Sequence, residues 1–333
     1  MARAIALLRA GVFQIFVNYL DKIGTPTTKL LRRSQLPVFG LEDPYAFLPR
    51  HQVFAFLFEA ARRDGIENLG WLVGEQTDLK DLQALGRLVS QATTLYEAIA
   101  VAIRVIRIFN SQECFWLGER GDQAWLGQQF TQLDGDSHHA SHFSLTLMLK
   151  LIRQVAGQNW HPQEIYSQTP YLGKISNLSL SEARIDTTQG FSAIVFPRRF
   201  LSLPLHPVIN ADHVHDYNLL LSSVPHLSFA DSLQQAIAPF LKERYPSIQL
   251  AASLSQMSVR TLQRRLTEDQ LTYSQLVTRL RYQRALQLLG DRQIKIIDIA
   301  IELGYQDAAH FTRAFKQWTG TTPQHFRRSL TGN

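Results

Sequence analysis

Residues 296–328 read IIDIAIELGYQDAAHFTRAFKQWTGTTPQHFRR, and the same pattern stands once more upstream. Ile248, Ala251 and Ala252 recur 48 residues later as Ile296, Ile299 and Ala300. Ser258, Leu262, Arg264 and Leu266 recur 49 residues later as Asp307, Phe311, Arg313 and Phe315. Each copy spaces its apolar residues for a short helix, breaks at a turn, and opens a second helix on an N-cap residue, Ser258 or Asp307. Two short helices joined by a tight turn make a helix-turn-helix, whose second helix can enter the major groove of DNA.

The second helices divide by face. Val259, Leu262 and Leu266 form an inward stripe, with Arg260, Gln263 and Arg264 opposite. In the later copy Ala308, Phe311 and Phe315 point inward, and Ala309, Thr312 and Arg313 outward. Arg pairs bidentately with guanine and Gln with adenine. One such face would pass for an ordinary solvated helix surface; two in tandem point to DNA. The stretch between the copies, Tyr273–Leu289, carries apolar residues at helical spacing. A helix of that length spans about 26 Å, enough to set two reading heads near successive major grooves. Arg279, Arg281 and Arg284 on or near it, with Lys316, are the candidate phosphate contacts.

Charge agrees. Residues 232–333 carry 14 Lys and Arg against 7 Asp and Glu, a balance of +7, whereas residues 1–231 carry 20 against 21. A basic segment beside a near-neutral one suits a polyanion partner. At 333 residues the chain predicts two domains, and 45% hydrophobic content supports a sizeable core. The single cysteine, Cys114, excludes a disulfide framework or a Cys-based metal site within one chain. It lies in an apolar run and reads as core. Ala4–Leu20 reads as an amphipathic helix rather than an export signal, because Arg9 interrupts its apolar run early. No run of about 20 uncharged apolar residues exists to span a membrane.

Upstream of the repeats the periodicity is mixed. Arg50–Arg63, Asp81–Ala92, Leu95–Phe109 and His139–Ala156 predict helices. Cys114–Leu117 and Ala124–Gly127 predict a hairpin around Glu119–Asp122, Leu178–Ile185 alternates, and Ser192–Phe196 predicts a strand. Phe54, Phe56, Phe58, Trp71, Phe115, Trp116 and Trp125 read mostly as core. Residues 1–221 therefore form an α+β domain, 222–231 a linker, and 232–333 an all-α domain of two helix-turn-helix units joined by a long helix. Asp136, His138, His139 and His142 form one dense potential metal cluster, without a compelling third ligand; His213 and His215 are weaker still. No metal, cofactor or catalytic motif is expected: there is no nucleophile elbow, phosphate loop or zinc-protease motif.

The quoted stretch closely resembles the C-terminal signature of the AraC/XylS family of bacterial transcription regulators. The matching residues are Asp298–Ala300, Leu303–Tyr305, Asp307, His310, Phe311, Arg313–Lys316, Trp318, Gly320, Thr322, Pro323, Phe326 and Arg327. Ser258–Leu266 resembles that family's first recognition helix. The resemblance implies base readout by Arg260, Gln263 and Arg264, then by Ala309, Thr312 and Arg313. Two departures stand out. Gln256 occupies the first turn where Gly304 occupies the second, so the two turns are expected to differ in shape. Ala309 offers only a methyl group.

Leu41–Pro44, Leu48–Pro49, Leu69–Gly74, Leu85–Gly86, Thr93–Ala98, Asn159–Pro162 and Ala193–Phe196 resemble the arabinose-binding-type regulatory domain of one branch of the family. That implies a cytoplasmic, nucleoid-associated homodimer, controlled by a small-molecule effector in a mostly apolar pocket. It would bind double-stranded promoter DNA and most commonly activate through RNA polymerase. A metabolite-modifying enzyme and a ligand-blind DNA binder remain as alternatives at this point.

Overall fold

The computed structural model describes residues 4–130, 136–170, 183–205, 228–243 and 245–330. By internal contacts the chain forms two units. The N-terminal unit comprises residues 6–34 and 50–225, and the C-terminal unit comprises residues 1–5, 35–49 and 226–333. The linear division at 222–231 does not follow that partition, because residues 35–49 pack with the C-terminal unit. Of the expected linker, residues up to 227 lie outside the described residues, and Ser228 onward caps and begins a helix.

The first half of the chain runs β1 (Leu7–Arg9), α1 (Ala10–Lys22), α2 (Thr27–Arg33), β2 (Phe47–Pro49), α3 (Arg50–Asp64), α4 (Leu69–Gln76), α5 (Gln83–Val89) and α6 (Leu95–Phe109). Then follow β3 (Glu113–Arg120), β4 (Gln123–Phe130), α7 (His138–Ala156), β5 (Glu164–Tyr166), β6 (Arg184–Asp186) and β7 (Ser192–Pro197). The helix expected from Ala4 begins only at Ala10. Leu7–Arg9 is drawn into extended pairing instead: Leu7 N donates to Ser111 Oγ, Ser111 N donates to Leu7 O, and the buried Arg9 donates to Ile108 O. The Asp81–Ala92 prediction also resolves differently, as a 3-10 turn at Leu79–Leu82 followed by α5.

The hairpin is longer than its apolar runs. β3 and β4 pair antiparallel over their full lengths, from Glu113 opposite Phe130 to Arg120 opposite Gln123. The five-stranded sheet has order β3-β4-β7-β5-β6, antiparallel except for β5 against β6. Of the alternating run Leu178–Ile185, residues 178–182 lie outside the described residues and Arg184–Asp186 forms β6. Within this unit α4 lies close against α7. A Cβ on Gly70 would sit 2.0 Å from His139 O, and one on Gly74 2.6 Å from the Thr146 Cβ. Glycines one helical turn apart thus allow the approach, and Trp71 between them stacks on the His142 ring at 4.4 Å. Phe54, Phe56 and Trp71 are buried core as expected, whereas Phe58 is exposed and Phe115, Trp116 and Trp125 are half-buried.

The C-terminal unit is helical apart from β2: α8 (Phe229–Ile237), α9 (Ile248–Leu254), α10 (Val259–Glu268), α11 (Tyr273–Gly290), α12 (Ile296–Glu302), α13 (Ala308–Thr319) and α14 (Pro323–Ser329). Side-chain caps begin almost all of them. Ser228, Ser247, Ser258, Thr272, Asp307 and Thr322 each accept a backbone N–H in the first turn of the helix that follows. Such a cap is worth about 1 kcal/mol, which lets seven- to ten-residue helices hold sharp ends. Residues 35–49 add a segment along α8 and the turn after it. The Glu243 carboxylate accepts from both Val38 N and Phe39 N, Lys242 pairs with Glu42 at 2.9 Å, and Ser253 donates to the Gln35 side chain. A Cβ on Gly40 would meet the backbone of Pro239 at 2.6 Å, so the two chain segments touch there.

Candidate nucleic-acid interface

Each helix-turn-helix is built around its own apolar centre. In the first, Ala251, Ala252 and Leu254 of α9 and Leu262 and Leu266 of α10 are buried. In the second, Ile299, Ala300 and Leu303 are buried with Phe311, Phe315, Ala285 and Leu289, and Tyr305, Trp318 and Phe326 pack around them. Phe315 is the hub, with Phe311, Trp318 and Phe326 rings at 5.7, 6.2 and 5.4 Å. The inward stripes match the sequence periodicity, except that Val259 and Ala308 are only half-buried.

The two turns, expected to differ, share one hydrogen-bond pattern. Gln256 N donates to Ser253 O at 3.0 Å and Met257 N to Ala252 O at 2.9 Å. Gly304 N donates to Ile301 O at 2.9 Å and Tyr305 N to Ala300 O at 2.9 Å. Both pivots are left-handed, Gln256 at φ 54° and Gly304 at φ 73°. Gln256 therefore bears the backbone strain that glycine avoids, about 1–2 kcal/mol. The copies diverge just after the turn: Gln306 is an extra residue before the second cap, which accounts for the change of offset from 48 to 49.

The outward faces are open. Arg260, Gln263 and Arg264 on α10 are exposed, as are Ala309 and Arg313 on α13, while Thr312 is half-buried. Lys316 lies exposed one further turn along α13. His310 stands on the same exposed face of α13, a residue whose outward position the repeat did not single out. Its N–H and its ring both engage the Asp307 cap, at 2.7 and 2.8 Å. Those bonds hold the Asp307 carboxyl below the usual carboxylate range, the backbone N–H of His310 contributing most.

The candidate phosphate residues separate. Arg279 is exposed on α11. Arg284 is half-buried and pairs with Glu302 at 3.6 Å, which also faces Lys242 at 3.5 Å. Arg281 departs from expectation. Its guanidinium lies over the rings of Tyr305 and Tyr245, 4.3 and 4.9 Å from their centres, and donates to Gly304 O at 3.1 Å. Half-buried, it fastens α11 to the second turn. Arg327 plays a similar role, donating to Leu289 O at 3.3 Å and Ile294 O at 2.8 Å.

The histidine cluster in the N-terminal unit packs rather than opens. His138, His139 and His142 are buried, and His138 bonds the Asp136 carboxylate. Burial, and then the neighbouring His138, lower His139 to about 3. Among the described residues no group of three or more His, Cys, Asp or Glu could hold a metal ion. His213 and His215 lie outside the described residues. Cys114 is half-buried rather than core, with Arg107 Nη2 3.1 Å from its Sγ. No helix among the described residues is long and apolar enough to cross a membrane.

Both halves of the chain resemble known proteins. Residues 24–205 match the family model described as the arabinose-binding domain of AraC transcription regulator, N-terminal, and residues 251–329 match a helix-turn-helix domain. The HTH-type transcriptional regulator VqsM of Pseudomonas aeruginosa is 39% identical over 101 residues, a match covering 29% of this chain and 31% of VqsM. The uncharacterized HTH-type transcriptional regulator Rv1395 of Mycobacterium tuberculosis is 22% identical over 336 residues, covering 95% of this chain and 94% of Rv1395. The crystal structure of the transcriptional regulator CdpR from Pseudomonas aeruginosa aligns over 91% of this chain and 96% of that one, at 20% identity and TM-score 0.41.

Proposed function

Since this chain belongs to the AraC family of transcription regulators, a family of DNA-binding proteins rather than enzymes, we propose that it activates transcription under the control of a small molecule held by its N-terminal domain. DNA enters through the two helix-turn-helix units. Arg260, Gln263 and Arg264 read bases from α10; Ala309, Thr312 and Arg313 read them from α13, Ala309 by apolar contact with a thymine methyl. Arg279, Arg284 and Lys316 contact phosphate, which sets register and supplies affinity. Sensing and dimerisation belong to residues 1–221 and DNA reading to 232–333, with RNA polymerase as the downstream partner.

One observation carries this reading. Two second helices, each capped and each backed by a buried apolar centre, present polar side chains to solvent within the +7 segment. A merely solvated surface has no need of two rigid, internally repeated supports. The effector role rests on the type of the N-terminal domain. A ligand shifts such a regulator only by binding its DNA-competent arrangement more tightly than the other.

The test is genome-wide mapping of sites bound by the full chain, followed by transcription from the best site with purified RNA polymerase. Expected are discrete sites whose occupancy falls steeply with salt, as counterion release requires, and more transcript when the protein is added. Uniform binding with no preferred site overturns base readout; less transcript when the protein is added overturns the activator assignment.

A further inference from the structure

Within the N-terminal unit, α1, α3, α5, α6, α7 and the β3–β4 hairpin enclose a cavity of about 120 Å³. Its wall is overwhelmingly apolar, and Phe13, Phe16, Phe54, Phe109, Phe130 and Phe143 all line it. An apolar cavity of about 150 Å³ accepts a benzene ring, so this one has the scale of a single ring. Asn110, Glu113 and Ser144 interrupt the wall, the first two at only 5% and 4% exposure. Asn110 Nδ2 donates to Glu113 Oε2 at 2.5 Å. Glu113 Oε1 and Asn110 Oδ1 are left buried without a hydrogen-bond partner, and both are acceptors. Ser144 and Gln128 are the neutral donors beside Glu113, and neither closes a hydrogen bond on Oε1.

Charge narrows the donor. Arg50, at the start of α3, is the charged group acting on Glu113; Gln128 on β4 and Ser144 on α7 are its neutral neighbours. The Arg50 guanidinium is held by the carbonyls of Ser111 and Gln112 at 3.3 and 3.4 Å, and it lies over the Phe54 and Phe130 rings. With Glu113 ionised, the form the proposed ligand takes, one carboxylate against one guanidinium is balanced. A cationic or anionic ligand would leave an uncompensated charge among phenylalanines, which is strongly unfavourable.

We infer that this cavity binds an uncharged, single-ring aromatic molecule bearing a hydroxyl, whose O–H donates to the open carboxylate oxygen of Glu113. The inference names the effector class for the sensing role proposed above and rests on that reading. It also carries a pH signature. Burial lifts the Glu113 carboxyl to about 7, against the opposing pull of Arg50, Asn110, Gln128 and Ser144. A donated hydrogen bond favours the ionised form. Binding then releases a proton, so affinity rises with pH through about 7 and levels off above it. A phenol, with a pKa of about 10 like that of tyrosine, stays neutral throughout.

Calorimetry on the full chain tests this with phenol as the probe, against toluene, benzylamine and benzoate. Phenol is expected to bind at least tenfold more tightly than toluene, and the two charged molecules more weakly than either. Glu113→Gln loses tenfold or more in phenol affinity together with its pH dependence. Ala140→Leu, which fills the cavity from α7 and leaves Glu113 in place, abolishes binding, and it decides the matter even if Glu113→Gln fails to fold. Phenol binding no tighter than toluene, benzoate or benzylamine binding tighter than phenol, or phenol binding that survives Ala140→Leu each overturns the inference. DNA binding by the ligand-free chain is scored separately. Site-specific DNA binding without phenol binding removes this inference alone; phenol binding without site-specific DNA binding removes the regulator reading.

Discussion

The two helix-turn-helix units make one turn with two different residues. Gly304 takes φ 73° with no Cβ to place, and a Cβ there would meet Leu241 O at 2.5 Å. Gln256 takes φ 54° and is exposed, with its side chain free to leave the turn. Glycine in the second turn is therefore a packing requirement, whereas the first turn accepts a side chain at the cost of backbone strain. The reading faces differ as well. α10 presents two arginines and a glutamine; α13 presents one arginine, a half-buried threonine and a methyl group.

Breaking the second turn should have the largest effect. Gly304→Ala adds left-handed strain and a backbone collision, together about 3 kcal/mol, read as a loss in denaturant unfolding of the full chain. A change under about 1 kcal/mol would mean that the turn relaxes and the comparison of pivots fails. Next come the readers. Arg264→Ala and Arg313→Ala should each cost about 1–3 kcal/mol in site affinity and relax base preference at one or two positions. Footprints of both variants decide this. Equal losses on every sequence would convert these arginines into phosphate contacts.

Charge contacts should be smaller and separable. Arg279→Ala and Lys316→Ala should each flatten the slope of log affinity against log salt by about 0.9. Arg281→Ala should leave that slope unchanged while lowering stability, because its guanidinium is spent on Tyr305, Tyr245 and Gly304 O. A flattened slope for Arg281→Ala would return it to the DNA surface. Smallest is Gln256→Gly, which relieves the strained pivot but frees the unfolded chain, for a net gain of about 0.5 kcal/mol. A loss of stability there would show that the glutamine makes a contact worth more than its strain.

Much of the C-terminal unit was legible because its determinants are local. Caps lie within three residues of the N–H groups they serve, and the apolar stripes repeat at helical spacing, so α9–α13 follow the sequence closely. The hairpin was found for the same reason, though its alternating polar ends at Glu113 and Gln123 hid its full length. Long-range choices were not legible. Nothing near Arg281 distinguishes it from Arg279, yet one is sandwiched by aromatic rings supplied from elsewhere in the chain and the other is exposed. Glu113 reads as an ordinary strand-end carboxylate, and only the assembled phenylalanines show it to be buried. Leu7–Arg9 carried a helical pattern and was captured by residues 108–111, a partner no periodicity reveals.

The attachment of residues 35–49 to the C-terminal unit also sets an order of events during synthesis. Glu243, which receives the N–H groups of Val38 and Phe39, is made almost 200 residues after Pro49. At 5–20 residues per second that interval is about 10–40 s. Throughout it, the segment is outside the ribosome without the carboxylate that anchors it, while the N-terminal unit is being made around it. A chimera joined at residues 222–231 would inherit the same problem permanently, with Glu243 and Lys242 facing a foreign segment in place of residues 35–49.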